Sequence, residues 1–496
     1  MSVRLEVALL SGRRASVELE PTSTLDEVAQ RAQALLSVGR CRLAKSSGEI
    51  LPGAASVEQV GLQTGDSLTV HVREVQVAAA RWKCDASAFA AIRGDASVLA
   101  WGDPDIGGDI AEVQDRLVNV HQIQASLFAF AAILGDGGVV TWGGQDCGGN
   151  SEAVQDQLKD VREIQAGTEV FAAIRADGSV VTWGNPDFGS DSSAVQEQLQ
   201  KVEKIQATKY AFAAIVEDGS VVTWGHPEYG GDSASVQDQL KHVRCIQASD
   251  EAFAAILADG SAVAWGNPEF GGDSSAVRDK LRNVSHIQAS RQSFAAILAD
   301  GSVVSWPQDE PGGDSSSVQE QLRDVQAIQA SDEAFAAVLA DGGVVTWGSP
   351  EAGGDSSAVQ PQLRGVQKIQ ATSQAFAAIL RDGSVVTWGD PACGGDSSSV
   401  QDRLHDVQHI QASNTAFAAL LGDGSAVCWG DARKGGASAH DLKDLRALQA
   451  CEQAMAGILQ DGSLIAWGEQ RFGGHIGAVD PALYHRPTLP TEEAAA

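Results

Sequence analysis

The chain has 496 residues, 43% of them apolar, and 65 acidic against 35 basic residues give it a formal charge of −30. So acidic a surface repels phosphate backbones, which speaks against direct nucleic-acid binding and fits basic partners or simple solubility better. Seven cysteines without a CxxC pair, no signal peptide and no membrane-length apolar stretch point to a soluble cytoplasmic or nuclear protein with reduced thiols and no membrane partner.

The charge is unevenly placed. Residues 1–76 hold 9 acidic and 8 basic residues, so the remainder carries 56 against 27. In this first segment an apolar run (3–10) is followed by a turn at Ser11-Gly12-Arg13-Arg14 and an alternating strand through Val17 and Leu19, a hairpin pattern. Thr24 with Glu27 forms a capping box ahead of a helix carrying Val28, Ala29, Ala32 and Leu35. Short strands are predicted at 41–44 and 68–72.

The order of these elements, and the phrases VELEPTSTLDEV, RLAKSSGEIL and GDSLTVHVRE, resemble the ubiquitin-like family over residues 1–75. The resemblance implies an α+β β-grasp domain (1–76). The family's Gly-Gly tail is missing, since Arg73-Glu74-Val75-Gln76 runs on into the next segment, so a conjugated modifier is not expected. By alignment the family's receptor patch falls on Ala44, Thr69 and His71. Leu68, Val70 and Val72 alternate inward, which turns Thr69 and His71 outward on a small, polar face. A docking or stabilising module fits that face better than a strong receptor ligand.

Tryptophans then recur every 41 residues from Trp101 to Trp429, and a tenth, Trp467, follows 38 later. The consensus is V-x-x-I-Q-A-S-x-x-A-F-A-A-I-L-A-D-G-S-V-V-T-W-G-x-P-x-x-G-G-D-S-S-A-V-Q-D-Q-L. Ten copies at fixed period define a repeat array, 79–483, ahead of a polar tail, 484–496. Trp82 falls at the isoleucine position of the first copy, so the array is placed from Ala79. V-x-x-I-Q-A reads as a short strand, and A-F-A-A-I-L and V-V-T-W as a hairpin turned by Asp-Gly, as at Asp177-Gly178. Asp-Ser-Ser reads as the cap of a two-turn helix with Val and Leu four apart, which Pro361 should weaken in one copy.

The phrase AFAAILADGSAVAWG (252–266) resembles the regulator-of-chromosome-condensation (RCC) repeat family. The resemblance implies a mainly-β, propeller-like array and a role as an exchange factor, part of a ubiquitin ligase or a protein-binding platform. Two features depart from the family: Gly271-Gly272-Asp273 stands where it has Gly-Gln-Leu-Gly, and ten short units exceed the usual blade number. An open β-solenoid with a short helix per repeat therefore stays open as the alternative.

No catalytic motif, cofactor loop or metal ligand set stands out, so no enzymatic activity, cofactor or metal is expected. His405 and His409 lie four apart but lack a third ligand, and Gly-Gly-Asp at a period of 41 suits capping better than calcium. The regularly placed tryptophans suit packing better than the light sensing of the plant ultraviolet receptor, which has similar repeats. Positions that vary within a strict repeat are solvent-facing loops, where binding concentrates. They single out Lys209 and Tyr210 before A-F-A, and Phe188, Tyr229 and Phe270 after W-G, as partner-binding candidates. Asp187, Glu228 and Glu269 sit beside the last three, so an aromatic row with an acidic rim would suit a partly basic peptide. The sequence is thus read as a non-enzymatic protein-binding scaffold, an adaptor in the ubiquitin pathway. Regulation of nucleotide exchange on a small GTPase and an accessory role in a ubiquitin ligase are the alternatives.

Overall fold

The computed structural model describes all residues except 1, 10–12, 37–40, 46, 54, 73, 82–86, 311, 438–441 and 476–496. The tail 484–496 and Trp82 lie outside the described residues. The N-terminal domain is a β-grasp. Strands β1 (Val3–Leu9) and β2 (Arg14–Leu19) form the hairpin, α1 (Leu25–Leu36) follows, and β3 (Arg42–Lys45) and β4 (Ser67–His71) complete a sheet of order β2-β1-β4-β3. The Thr24 hydroxyl accepts from the Glu27 N–H at 3.3 Å, which caps α1. Leu5, Val17, Val28, Leu43 and Val70 meet in the core. Val72 departs from the expected alternation: β4 ends at His71, and Val72 is exposed.

Ten three-stranded antiparallel sheets follow. The third is representative, with strands Val161–Ala166, Val170–Arg175 and Val180–Gly184. Its middle strand is almost wholly buried because both of its faces meet other sheets, so it can be apolar at every position. At the hairpin tip the Gly178 N–H donates to the Arg175 carbonyl, and Asp177 accepts from the Ser179 N–H at 2.9 Å. Gly178 has φ +79, and a Cβ there would lie 2.6 Å from the Lys201 Cα. The tip therefore needs glycine both for its left-handed backbone and for close approach to the next sheet.

Successive sheets pack face to face through one repeated arrangement. Phe171 stacks on Trp183 with centroids 5.3 Å apart, and the pair lies against Ala129, Ala131 and Ile133 of the preceding sheet. The Trp183 indole donates to the Gly148 carbonyl at 3.0 Å. Gly148 has φ +96 and a Cβ there would strike the Phe171 ring at 2.6 Å, which accounts for the Gly-Gly of the repeat. The ten repeat tryptophans, Trp101 to Trp467, are thus buried packing residues with their N–H groups satisfied.

The array closes on itself. Phe89 and Trp101 of the first sheet (β5 Gln76–Arg81, β6 Ser87–Ile92, β7 Val98–Gly102) pack on Cys451, Ala454, Ala456 and Leu464 of the tenth. Trp101 donates to the Gly473 carbonyl as the nine other repeat tryptophans, Trp142 to Trp467, do to the sheet before them. The result is a propeller-like ring, and the open solenoid is set aside. Two further expectations are corrected. The outer connection is no two-turn α-helix but a short 3-10 stretch, Ser193–Val195 in the third copy and at most Glu152–Gln157 in the second: Asp191 accepts from the Ser193 N–H, and side-chain bonds replace the helical ladder. Pro361 sits inside one such turn, Gln360–Gln362, and does not disturb it, because a proline at its start forfeits no needed N–H. The other concerns the first sheet. Val77 pairs with Ala91 as Ile123 pairs with Ala132, so Val77 takes the position assigned to Trp82, and the strand begins at Gln76, ahead of Ala79.

Candidate partner-binding face

The strand order gives the ring two faces. Asp-Gly tips lie on one. On the other lie the Ser-x-x turns joining first and second strands, together with the loops after W-G. Along this second face the turns are linked by backbone bonds from sheet to sheet: the Lys209 N–H donates to the Asp250 carbonyl at 2.9 Å, and Asp250 donates to Arg291 at 3.0 Å. The side chains continue the link, since Asp250 accepts from Lys209 and, at 3.1 Å, from the Arg291 Nε. Lys209 is thereby engaged by Asp250 and half-buried.

In five copies the loop after W-G is a 3-10 turn begun by proline, as in Pro186–Phe188 and Pro227–Tyr229, and ended by a left-handed glycine. The turn swings the aromatic residue back over the face. There the residue before A-F-A of the next sheet slots between two loops. Tyr210 lies 4.9 Å from Phe188 and 4.8 Å from Tyr229, and His226 stacks on Tyr229 at 4.3 Å. Four rings from two sheets thus form one half-buried stack.

Phe270 does not join it. The corresponding slot in the fifth sheet holds Glu251, whose carboxylate accepts from the Asn267 Nδ2 at 2.8 Å. Phe270 packs instead against the core beneath it. The row expected from equal spacing therefore ends at Tyr229. Asp187, Glu228 and Glu269 are exposed beside the loops, as a rim would require. Burial, with Glu251, Asp250 and Glu169 nearby, pushes the Tyr210 phenol above its ordinary value, and Glu251 does most of the same for Tyr229. Both phenols therefore sit in a negative field. Sequence reasoning did not select Glu169, Asp250, Glu251 or His226. Glu169, Asp250 and Glu251 did stand at the same variable positions before A-F-A as Lys209 and Tyr210, and His226 is a ring where no other copy has one.

The β-grasp domain sits by the opposite face. Arg42 of β3 donates to the Asp95 carbonyl at the first Asp-Gly-type tip and to the Asn119 Oδ1 at 2.8 Å. Arg42 is paired with His71 across the sheet, and Ala44 pairs with Thr69. The face assigned to receptor binding is thus the one that borders the array. His405 and His409 are separated, His409 lying on the first strand of the ninth sheet. Among the described residues, no group of three or more metal-ligating side chains occurs, and no helix is long and apolar enough to cross a membrane.

No protein-family model matches the chain, and no curated protein does. Among solved structures it is similar to the computationally designed Ika8 protein, at 14% identity over 62% of this chain and 96% of that one, TM-score 0.31. It is also similar to Prp20p of Saccharomyces cerevisiae, at 16% identity over 55% and 83%, TM-score 0.31. The third likeness is to a Caldiarchaeum subterraneum ubiquitin, at 19% identity over 15% and 96%, TM-score 0.14. At these values the likenesses carry no statement about what this chain binds.

Proposed function

We propose that this protein is a non-enzymatic scaffold that takes a basic protein segment on its Ser-x-x face. The Phe188–Tyr210–Tyr229 stack, with Glu169, Asp250 and Glu251 around it, is the observation that carries this reading. A guanidinium or ammonium group over an aromatic face gains a cation–π contact, and surrounding carboxylates steer it there. In this reading the β-grasp domain links the bound partner to ubiquitin-pathway machinery, and a receptor reaching its sheet would first have to displace the Arg42 contacts.

The test is isothermal titration of the full chain with a short arginine–glycine peptide, set beside Tyr210→Ala/Tyr229→Ala. The double variant is expected to lose about tenfold or more in affinity, the scale of one desolvated cation–π contact. Unchanged affinity in a variant that melts like the parent would remove the reading.

A further inference from the structure

First strands of neighbouring sheets lie side by side around the whole ring, including the tenth beside the first, whereas third strands are held apart by the outer turns. The first strands are therefore the inner wall of the ring. With sheets packed about 10 Å apart, closing ten of them places opposite inner strands about 25–30 Å apart, which leaves roughly 15 Å clear between side chains. Strands of six residues make the wall about 20 Å deep. That space admits an α-helix, which is about 10–12 Å across. A bulge after the leading residue of the inner strand in sheets two to ten, as between Val161 and Glu163, interrupts the free edge, so strand addition along most of the wall is disfavoured.

The wall has the opposite charge to the protein. The two variable positions of V-x-x-I on sheets two to ten carry Arg162, Lys204, Arg244, Lys368 and Arg446, against only Glu163 and Glu203. His121, His286 and His409 occupy three more of these positions. All of these except the half-buried Arg446 are exposed. Lys204, Arg244 and Lys368 make no ion pair among the described residues. In a chain of charge −30 this belt of cations is a local reversal.

Both mouths carry more acidic than basic groups, although Lys159, Lys201, Lys241, Arg282, Arg323 and Arg364 stand just ahead of the inner strands at one of them. Every Asp-Gly-type tip presents an aspartate whose carboxylate accepts from the backbone two residues on, from Asp95 round to Asp461. The opposite mouth carries Glu169, Asp250, Glu251, Asp332 and Glu333 beside Lys209 and Arg291, both of which bond to Asp250. Along the axis the pattern is acidic, basic, acidic.

We propose that this channel is a second binding site, for a peptide segment with an acidic centre and basic flanks. The acidic centre faces the inner cations, and the flanks meet the mouths. A nucleic acid has the wrong pattern: its charge continues past the wall and is repelled at both mouths. The site shares Glu169, Asp250 and Glu251 with the surroundings of the aromatic stack at one mouth and differs from it in the inner cations, which select an acidic centre.

The test uses the full chain and a fluorescein-labelled peptide with a glutamate core between lysine ends, read by anisotropy. An all-glutamate peptide and a single-stranded oligonucleotide of equal length serve as competitors. The lysine-flanked peptide is expected to bind about tenfold or more tighter than either. Lys204→Glu/Arg244→Glu/Lys368→Glu is expected to abolish that binding, and the triple Gln variant to weaken it by an intermediate factor. Tyr210→Ala/Tyr229→Ala is expected to leave it unchanged, which separates this site from the aromatic one. Absence of saturable binding, equal binding of the oligonucleotide, or full binding by the Gln variant with parental melting would each overturn the proposal.

Discussion

The Trp101 indole donates to the Gly473 carbonyl at 3.0 Å across 372 residues of sequence, the same bond that Trp265 makes to Gly230 over 35. One contact type thus serves both neighbours in sequence and the two ends of the array, and the seam is packed like any other junction.

Trp265→Ala is expected to destabilise the protein by about 3–5 kcal/mol, through lost burial and the cavity left under Phe253. Trp101→Ala should cost the same to within about 1 kcal/mol, because its surroundings repeat. Urea unfolding of both variants checks this. A Trp101 variant close to the parent, beside a damaged Trp265 variant, would mean that the ring is open at the seam.

Gly178→Ala combines a left-handed backbone with a Cβ placed 2.6 Å from the Lys201 Cα. Gly48 has φ +87 with nothing within 4 Å of its Cβ, so Gly48→Ala meets the backbone penalty alone, about 1–2 kcal/mol. The Gly178 variant is expected to lose clearly more in thermal melting. Equal losses would show that the neighbouring sheet can yield.

The chain has three tyrosines, and two of them stand in the negative field. Absorbance titration should show Tyr210 and Tyr229 ionising above the ordinary value of about 10. A folded-state pKa raised above the unfolded one contributes stability below the unfolded value and loses it as pH rises through the folded one. Alkaline unfolding should therefore set in earlier for the parent than for Tyr210→Phe/Tyr229→Phe. Two normal titrations near pH 10 would remove the negative field.

Arg42→Ala removes the bonds to Asp95 and Asn119 that tie the β-grasp domain to the ring. Small-angle scattering is expected to show a larger radius of gyration, with the melting of the array unchanged. An unaltered scattering curve would place the tie in other residues.

The repeat period, the strands, the Asp-Gly turns and the β-grasp order were legible in the sequence because each depends on local periodicity and turn chemistry. The two-turn helix was misread for the same reason. Val and Leu four apart fit a helix, but side-chain bonds such as Gln196 Nε2 to the Val180 carbonyl hold the segment as 3-10 turns against a sheet edge. Phe270 was grouped with Phe188 and Tyr229 by equal spacing, yet the slot between neighbouring loops is filled by the residue before A-F-A, which is Tyr210 in one copy and Glu251 in the next.

What the sequence by itself determined is the unit: its three strands, its glycines, its buried tryptophan and its acidic surface. Closure was decided by tertiary structure, since it depends on the small angle accumulated between successive sheets, a quantity that no single repeat contains. The inner wall followed from closure. Arg162, Lys204, Arg244 and Lys368 are scattered along the sequence among many more acidic residues, and only the ring brings them to face one axis.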